Sequence, residues 1–375
     1  MSNTPDPRKD LSVALRESFP ELEDLRRVAG ETPVYLVGGA VRDLLLGRER
    51  SDVDVVVEGD APALAGRLGG EVVEHARFST AKAMVGALEI DLASARAETY
   101  AAPGALPEVR PATLAEDLDR RDFTINAMAI PLQGEAELID PLGGAADLDA
   151  GILRILHRGS FRDDPTRALR AARYAARFGF TPERETSSLL READLGTVSD
   201  DRRRAELLRL TGEALALDAL GLLVEWGLIE PPEIGQGALA ALDRLLSGPP
   251  WSEVAERPKT LLAAALSELG RAPALAAAAP GSPSEGVELA RDATPEELAI
   301  AHALGAEWVE DYVRSWRSVV LEIGGADLIA AGVAEGPDIG RGLAAAMRGK
   351  LDGAISGRNQ ELEAALEAVA ADRHD

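Results

Sequence analysis

The chain has 375 residues and a net charge of −24, from 64 acidic and 40 basic side chains. This length predicts about two to four compact units. The charge argues against a general nucleic-acid coat, because phosphate binding needs clustered positive charge. Cysteine is absent, which excludes disulfides and thiolate metal sites. No apolar stretch approaches the roughly 20 residues of a membrane helix, and the polar start has no signal-peptide core. These features predict a soluble cytoplasmic protein.

Apolar patterning divides the chain into a mixed part and a helical part. Residues 1–30 are predicted to form a leading helix on a mobile N-terminus. Over residues 31–145, short Val/Ile/Leu runs alternate with glycine turns, which predicts a small mixed-sheet head domain. Helical Ala/Leu/Arg periodicity follows, and proline and glycine breaks divide it into a neck (146–245), a body (246–320) and a tail (321–375). The predicted fold class is α+β.

Two finer predictions belong to this scheme. The predicted strands are Val34–Val37, Val53–Val57, Ala83–Ala87, Glu89–Ala93 and Ala127–Pro131. In the body, the low-complexity segment Ala272–Glu285 is predicted to be a flexible linker.

The stretch from Tyr35 to Val57 carries three features of interest. Gly38 and Gly39 interrupt an apolar run where a strand passes into a helix. Unpaired N–H groups at that helix start, with the guanidinium of Arg42, are suited to phosphate oxygens. Asp52 and Asp54 follow in a strand pattern that puts both carboxylates on one face. Such a pair can hold divalent metal, and the alternatives are a plain tight turn and a solvated strand edge.

The order of these features resembles a known signature. A glycine turn, an arginine and Asp-x-Asp ten residues later resemble the DNA polymerase β-like nucleotidyltransferases. GGAVRDLLLG resembles the class II tRNA nucleotidyltransferase and bacterial poly(A) polymerase family. The resemblance implies a nucleotidyltransferase head domain in which Asp52 and Asp54 are catalytic and bind Mg²⁺, with two ions expected. It also implies that Gly38, Gly39 and Arg42 bind nucleotide.

A third carboxylate is expected on a later strand. Gly86–Leu92 alternates as a strand with Glu89 and Asp91 on the same side. Either side chain could join Asp52 and Asp54, or both could form an exposed polar face. The resemblance favours Asp91, because polymerase β-like enzymes place a third carboxylate on such a strand.

The segment from Glu116 to Ala127 sets arginines, an acid and an amide around apolar residues. Buried ion pairing that fixes a helix is one explanation. The segment also resembles the family motif RRDFTINA, which closes the nucleotide pocket. By that resemblance Arg121 contacts the triphosphate, and Asp122 and Asn126 position the ribose or nearby loops.

A row of arginines follows a predicted helix start. Asp164 before Pro165 is typical of an N-cap with proline at N1. The row then recurs at helical spacing along one face, at Arg167, Arg170, Arg173 and Arg177. A solvated basic face is the default explanation of such a row.

The same segment resembles the family's EDxxR motif and its arginine helix. The resemblance implies that Asp164 and Arg167 read the Watson–Crick edge of the incoming base, since a carboxylate accepts and a guanidinium donates in a fixed plane. It implies that Arg170 and Arg173 line the pocket. Asp163 stands where the family usually has glutamate.

Charge is distributed unevenly along the chain. Residues 151–210 contain 13 Arg and 9 Asp or Glu, a local +4. This predicts a basic face on an acidic body and RNA-binding helices in the neck. The helix that carries Arg202, Arg203 and Arg204 loosely resembles a family helix that supports the pocket, and the alternative, which the sequence favours, is a surface helix.

The resemblance implies a template-independent enzyme that adds C and/or A to the tRNA 3′ end from CTP or ATP and releases pyrophosphate. It covers residues 33–180 strongly and continues faintly to about residue 365. No membrane and no obligate protein partner is expected. The alternatives are a poly(A) polymerase, an enzyme that adds only CC or only A, and an inactive RNA-binding paralogue.

Overall fold

The computed structural model of the chain describes residues 10–48, 53–68, 72–75, 79–86 and 88–371. Two compact units divide at Leu228 and Ile229. The first contains strands and helices, and the described part of the second is helical. This confirms the α+β fold class, while the finer scheme of head, neck, body and tail remains a prediction.

The first unit contains ten strands and eleven α-helices among its described residues. The strands are β1 (Val34–Val37), β2 (Val53–Val57), β3 (Val72–His75), β4 (Thr80–Val85), β5 (Leu88–Ser94), β6 (Arg96–Thr99), β7 (Glu108–Pro111), β8 (Ala129–Pro131), β9 (Ile152–Leu153) and β10 (Thr181–Pro182). The helices are α1 (Leu11–Ser18), α2 (Leu22–Ala29), α3 (Gly39–Leu45), α4 (Ala61–Arg67), α5 (Leu114–Asp119), α6 (Gly144–Ala150), α7 (Ser160–Asp163), α8 (Thr166–Phe178), α9 (Arg184–Leu190), α10 (Asp200–Thr211) and α11 (Ala216–Glu225).

The main sheet has six strands in the order β3-β4-β5-β2-β1-β8. Only the β2–β5 pair is parallel within this described sheet, and its other neighbours are antiparallel. Val53, Val55, Val56 and Val57 of β2 are all buried, as expected for a β-branched run covered on both faces. The half-buried Asp54 is the exception in this strand, and it marks the polar edge of the site described below.

A two-stranded hairpin follows strand β5 in the sequence. Strands β6 and β7 pair antiparallel from Arg96 with Pro111 to Thr99 with Glu108. Residues 100–107 form the connecting loop. The sequence does not predict this hairpin, because both strands are charged and lack an alternating apolar pattern.

The predicted boundaries need three adjustments. The leading segment forms two helices, α1 and α2, and Asp10 caps α1 by accepting from the Val13 N–H at 3.0 Å. The strand predicted at Ala83–Ala87 runs from Thr80 to Val85, and Ala87 lies outside the described residues. Strand β8 is shorter than predicted because a 3₁₀ helix at Thr124–Asn126 precedes it.

The second unit contains ten described helices. They are α12 (Gly235–Leu246), α13 (Trp251–Val254), α14 (Arg257–Ala265), α15 (Ala272–Ala277), α16 (Pro283–Ala290), α17 (Pro295–Ala303), α18 (Trp308–Arg314), α19 (Gly325–Ala330), α20 (Pro337–Leu351) and α21 (Gly357–Ala371). No helix in the described part of the chain is long and apolar enough to cross a membrane.

Helix α15 and the start of α16 occupy most of Ala272–Glu285, and the predicted flexibility of this segment remains a prediction. Alanine has the highest helix propensity, so an alanine-rich segment is not flexible by composition. Ser282 caps α16, and Pro283 occupies its first turn. The N–H and hydroxyl of Ser284 both donate to Asp352 at 2.8 Å, which ties the segment to the end of α20.

Candidate active site

A cleft of about 930 Å³ lies in the first unit and is lined by the polar edge of the main sheet, α8 and α10. Six carboxylates contribute to its lining. They are outnumbered by ten arginines: Arg42, Arg96, Arg120, Arg121, Arg167, Arg170, Arg173, Arg177, Arg202 and Arg209. An excess of arginine in a concave site concentrates positive potential there, although the whole chain is acidic.

Two of the predicted carboxylates lie on neighbouring strands of the main sheet. Asp54 and Asp91 are register partners on the parallel strands β2 and β5, and both line the cleft. Asp91 also lies 3.3 Å from the Lys82 ammonium, which hydrogen-bonds to Glu89 at 2.6 Å. Glu89 is not part of the cleft lining. The geometry therefore favours Asp91 over Glu89 as the partner of Asp54.

The predicted metal ligands are Asp52 and Asp54, and Asp52 lies outside the described residues. Among the described residues, no group of three or more His, Cys, Asp or Glu side chains is arranged to hold a metal ion. Asp54 and Asp91 nevertheless supply two adjacent carboxylates, and carboxylate oxygens are the ligands that Mg²⁺ prefers. The donor set fits a hard divalent cation.

The glycine turn between β1 and α3 brings backbone close to two functional side chains. Gly38 has φ of +68°, a conformation that disfavours other residues. A Cβ atom at Gly38 would lie 2.8 Å from Arg121 Nη1 and 3.7 Å from Asp54 Oδ2. The strand-to-helix turn is as predicted, with Gly39 as the first residue of α3. Glycine is needed here because the site leaves no room for a side chain.

Arg42 is buried, with 3% of its surface exposed. It donates to Asn126 Oδ1 at 2.6 Å and to Asp43 Oδ1 at 2.9 Å. Its guanidinium lies over the rings of Tyr174 and Phe178, at 5.2 and 4.6 Å from their centroids. Arg42 thus connects α3 with the Asn126 segment and with α8, and its contact with phosphate remains a prediction.

Asp122 joins the same segment to α8. Its carboxylate accepts from Asn126 Nδ2 at 2.9 Å, from Arg170 Nε at 2.7 Å and from the Phe123 N–H at 2.8 Å. Burial opposes ionisation of Asp122, but the charge of Arg170 and the hydrogen bonds from Asn126 and Arg170 outweigh it and lower its pKa to about 2. The buried ion pairing considered above is therefore present. Any contact of Asp122 or Asn126 with ribose remains a prediction.

Arg121 is held by the acidic residue one helical turn before it. Its Nη2 lies 2.9 Å from Asp117 Oδ2, and Arg120 Nη2 lies 2.6 Å from Asp117 Oδ1. Burial raises the pKa of Asp117, but the two arginines lower it further than burial raises it. This shared pairing fixes Arg121 beside Gly38 at the cleft wall.

Asp164 and Arg167 both line the cleft. Helix α8 begins at Thr166, and Asp164 Oδ1 caps it by accepting from the Thr166 N–H at 3.1 Å. Arg167 is 5% exposed and donates to Ser160 Oγ and to the Arg120 carbonyl, both at 2.7 Å. The alternative of a solvated Arg167 is wrong.

The rest of the arginine row is also paired, with partners from outside α8. Arg170 lies 2.7 Å from Asp122 and 4.0 Å from Glu206, and Arg173 lies 3.3 Å from Glu213. Burial lowers the pKa of Arg170, but the charge of Asp122 raises it by more. The face is therefore a set of partly buried ion pairs in the wall of the cleft.

Helix α10 contributes to the cleft, although the sequence favours a surface helix here over one that supports the pocket. The sequence predicts Arg202 at the surface, but Arg202, Glu206 and Arg209 all line the cleft. Arg202 donates to the Gly104 carbonyl at 2.8 Å and to Asp164 Oδ1 at 3.0 Å. The i, i+4, i+7 spacing of these three residues was the available signal, because it puts them on one helical face.

Comparison with known proteins identifies the family of this chain. Residues 34–154 match the family described as Poly A polymerase head domain. A CC-adding tRNA nucleotidyltransferase of Deinococcus radiodurans is 36% identical in an alignment of length 372, and the match covers 91% of this chain and 91% of that relative. This chain belongs to the tRNA nucleotidyltransferase family. An A-adding member from Aquifex aeolicus is 50% identical over 176 residues, 45% of this chain, but the match spans only 21% of that longer relative.

Solved members of the family share the fold along nearly the whole chain. A structure described as a CCA-adding enzyme, apo form II, has a TM-score of 0.80 at 31% identity and covers 96% of this chain and 98% of its own. The Thermotoga maritima CCA-adding enzyme, complexed with tRNA, has a TM-score of 0.75 at 30% identity and covers 96% and 98%. These likenesses extend beyond the head domain to both units.

Proposed function

We propose that this chain is a template-independent nucleotidyltransferase that adds C and/or A to the 3′ end of tRNA from CTP or ATP and releases pyrophosphate. One observation carries the proposal. The paired carboxylates Asp54 and Asp91 line the same arginine-rich cleft as Asp164 and Arg167. Carboxylates for the reacting phosphate and a planar donor–acceptor pair for the base are the two parts that such an enzyme needs.

The base contact accounts for a preference for C and A. Both bases carry an exocyclic amino group beside an unprotonated ring nitrogen on the Watson–Crick edge. Asp164 can accept from the amino group, and Arg167 can donate to the ring nitrogen. Two of the five N–H groups of Arg167 bind Ser160 and Arg120, which leaves three for the base.

The triphosphate is assigned to the arginines nearest the glycine turn, Arg121 and Arg42, with Gly38 and Gly39. Arg170 and Arg173 of α8 line the same cleft. When bound, Mg²⁺ held by Asp52, Asp54 and Asp91 would activate the RNA 3′-hydroxyl and neutralise the leaving pyrophosphate. The ion pair with Asp117 keeps Arg121 oriented. Asp117 itself is not part of the cleft lining.

The relatives support both nucleotides and the RNA. Solved CCA-adding enzymes that share 30% identity with this chain are complexes with ATP, with CTP and with tRNA. The match to the A-adding relative covers 45% of this chain, whereas the match to the CC-adding relative covers 91%. Addition of C alone, of A alone and of the full CCA are therefore separate outcomes of the experiment below. A tRNA substrate also supports a cytoplasmic location.

The test uses three tRNA substrates that end before the CCA, after its first C and after both Cs, each with CTP and ATP supplied separately. Extension of the first two by CTP indicates C addition, and extension of the third by ATP indicates A addition. An RNA without tRNA structure serves as the control, and its extension into a long A tract would support a poly(A) polymerase instead. Extension of none of these substrates would favour the inactive paralogue.

A further inference from the structure

Asp147 of α6 is a buried carboxylate that the proposed reaction does not use. It is 7% exposed and is not part of the cleft lining. Its Oδ2 accepts from the Thr124 hydroxyl at 2.7 Å and from Arg154 Nε at 2.9 Å, and its Oδ1 accepts from Arg154 Nη2 at 3.1 Å. A carboxylate is costly to bury unless such donors satisfy it. These contacts therefore hold Asp147 and Thr124 in one arrangement.

Thr124 is also held through its backbone. Its N–H donates to the Arg154 carbonyl at 2.9 Å. A Cβ atom at Gly144, the first residue of α6, would lie 2.2 Å from the Thr124 carbonyl oxygen. The helix start thus packs directly on this carbonyl. Residues 144–154 therefore constrain Thr124 at its N–H, its carbonyl and its side chain.

The position of Thr124 determines that of Asn126. The two residues are the ends of one buried 3₁₀ turn, and the Ala127 N–H closes this turn by donating to the Thr124 carbonyl at 2.9 Å. Asn126 Oδ1 accepts from Arg42 Nη1 at 2.6 Å, and its Nδ2 donates to Asp122 at 2.9 Å. A shift of the turn would therefore move the side chain that Arg42 binds.

We propose that Asp147 is a positioning residue for the triphosphate site. It fixes the Thr124 hydroxyl, and the turn carries this constraint to Asn126. Asn126 then orients the guanidinium of Arg42. The inference rests on the proposed function, because it takes Arg42 as a triphosphate contact, and it gives a role in nucleotide binding to a carboxylate outside the cleft. Base selection is assigned to other side chains, so Asp147 should affect CTP and ATP alike.

Thr124→Val tests this contact with the least disturbance, because valine has nearly the shape of threonine but no hydroxyl. On the tRNA substrates defined above it should raise KM for CTP and for ATP about tenfold, the size expected when one buried hydrogen bond is lost. The value of kcat and the discrimination against UTP and GTP should change little, because the lost interaction serves binding of the triphosphate. Thr124→Ser keeps the hydroxyl and should restore most of the affinity.

A direct binding measurement separates positioning from a general loss of structure. Calorimetry with inorganic tripolyphosphate, in the absence of RNA, reports the phosphate site alone. Its Kd should rise about tenfold in Thr124→Val, whereas a partly unfolded sample would bind fewer equivalents with an unchanged Kd. Asp149→Ala removes the same charge from an exposed position of α6 and should keep the wild-type Kd and KM.

A double-mutant cycle tests whether Asp147 acts through Thr124. Asp147→Ala should weaken tripolyphosphate binding in the same direction, and adding Thr124→Val to it should cost no further affinity. If Asp147→Ala does not fold, the comparison of Thr124→Val with Thr124→Ser decides alone.

Three results would overturn the inference: a wild-type KM and Kd in Thr124→Val, a rise in KM for only one of the two nucleotides, or additive losses in the double variant. If the wild-type chain extends none of the tRNA substrates, the proposed function itself fails. The calorimetric comparison needs no RNA, so that failure is distinguishable from an unchanged phosphate site.

Discussion

Asp91 and Glu89 lie on one strand and pair with the same lysine, yet only Asp91 lines the cleft. If Asp91 is the third catalytic carboxylate, Asp91→Asn should lower kcat on tRNA by about 100-fold or more, the usual contribution of a positioned acid or base. The amide keeps the shape of the side chain, so the thermal unfolding midpoint should change little. Single-turnover extension assays measure the effect.

Glu89→Gln is the matched control for Asp91→Asn. It removes one charge from the same strand and weakens the same exposed pair with Lys82, which is worth little to stability. Its rate should stay within a few-fold of wild type. Equal losses in the two variants would show that the rate reports the Lys82 cluster and not a third carboxylate.

The carboxylate of Asp122 makes the free energy of unfolding depend on pH in the acid range. Its folded pKa of about 2 lies below the roughly 3.9 of an unfolded aspartate. Its contribution is therefore complete above about pH 4 and is lost as the pH falls towards 2. Asp122→Asn should lower the free energy of unfolding at pH 7 by about 3 kcal/mol, because Arg170 loses its charged partner. Urea unfolding at several pH values measures this.

The difference between wild type and Asp122→Asn should shrink as the pH approaches 2. Asp119→Asn, at an exposed position three residues earlier in the chain, provides the control and should change stability by less than about 0.5 kcal/mol. A constant difference across the acid range would mean that Asp122 is not the group that titrates.

At the scale of residues, the sequence predicts which residue types occur and how they are spaced. It predicts less well which residues they contact. The turn at Gly38 and the placement of Asp54 follow from local patterns, since period and chain breaks are local properties. The partner of Arg170 is Asp122, 48 residues earlier, and no local rule connects them. The spacing of the arginine row therefore indicates a face, but not that the face is buried in ion pairs.

At the scale of elements, α16 shows that a low-complexity segment can contain a capped helix. Asp352 accepts from the Ser284 N–H and hydroxyl, 68 residues away in sequence. Asp352→Ala should remove this anchor and speed amide hydrogen exchange in Pro283–Ala290 about fivefold, which corresponds to about 1 kcal/mol for the removal of a cap. Asp292→Ala changes an exposed residue of the same unit and should leave exchange unaltered. Unprotected amides in the wild-type segment would support a flexible linker instead.

The elements that sequence patterns miss have a common property. Strands β6 and β7 are half-exposed and charged, so neither shows the alternation that marks a strand with one buried face. Helices α8 and α10 are predictable because their periodicity extends over 13 and 12 residues. The hairpin nevertheless supplies the loop that Arg202 holds, so an element without a pattern contributes to the site.

At the scale of the whole molecule, the net charge is negative, but positive side chains are concentrated in the cleft. The chain totals −24, while the cleft is lined by ten arginines and six carboxylates. Nucleotide binding therefore depends on a local field, and the acidic remainder disfavours nonspecific adsorption of RNA. Net charge alone would argue against a nucleic-acid substrate. The distribution of charge, and not its total, therefore bears on RNA binding.

This separation leads to a prediction for tRNA binding. Arg203 and Arg204 follow Arg202 on α10, and Arg204 is exposed while Arg203 pairs with Asp200. If they bind tRNA phosphates, replacing both with alanine should weaken binding and reduce the slope of log K against log salt by about one unit for each phosphate that is no longer neutralised. Arg26→Ala together with Arg27→Ala on α2 removes the same charge from a helix outside the cleft and should leave the slope unchanged. Filter binding at several salt concentrations measures both slopes, and equal changes in the two pairs would mean that net charge, rather than a defined path on α10, controls RNA affinity.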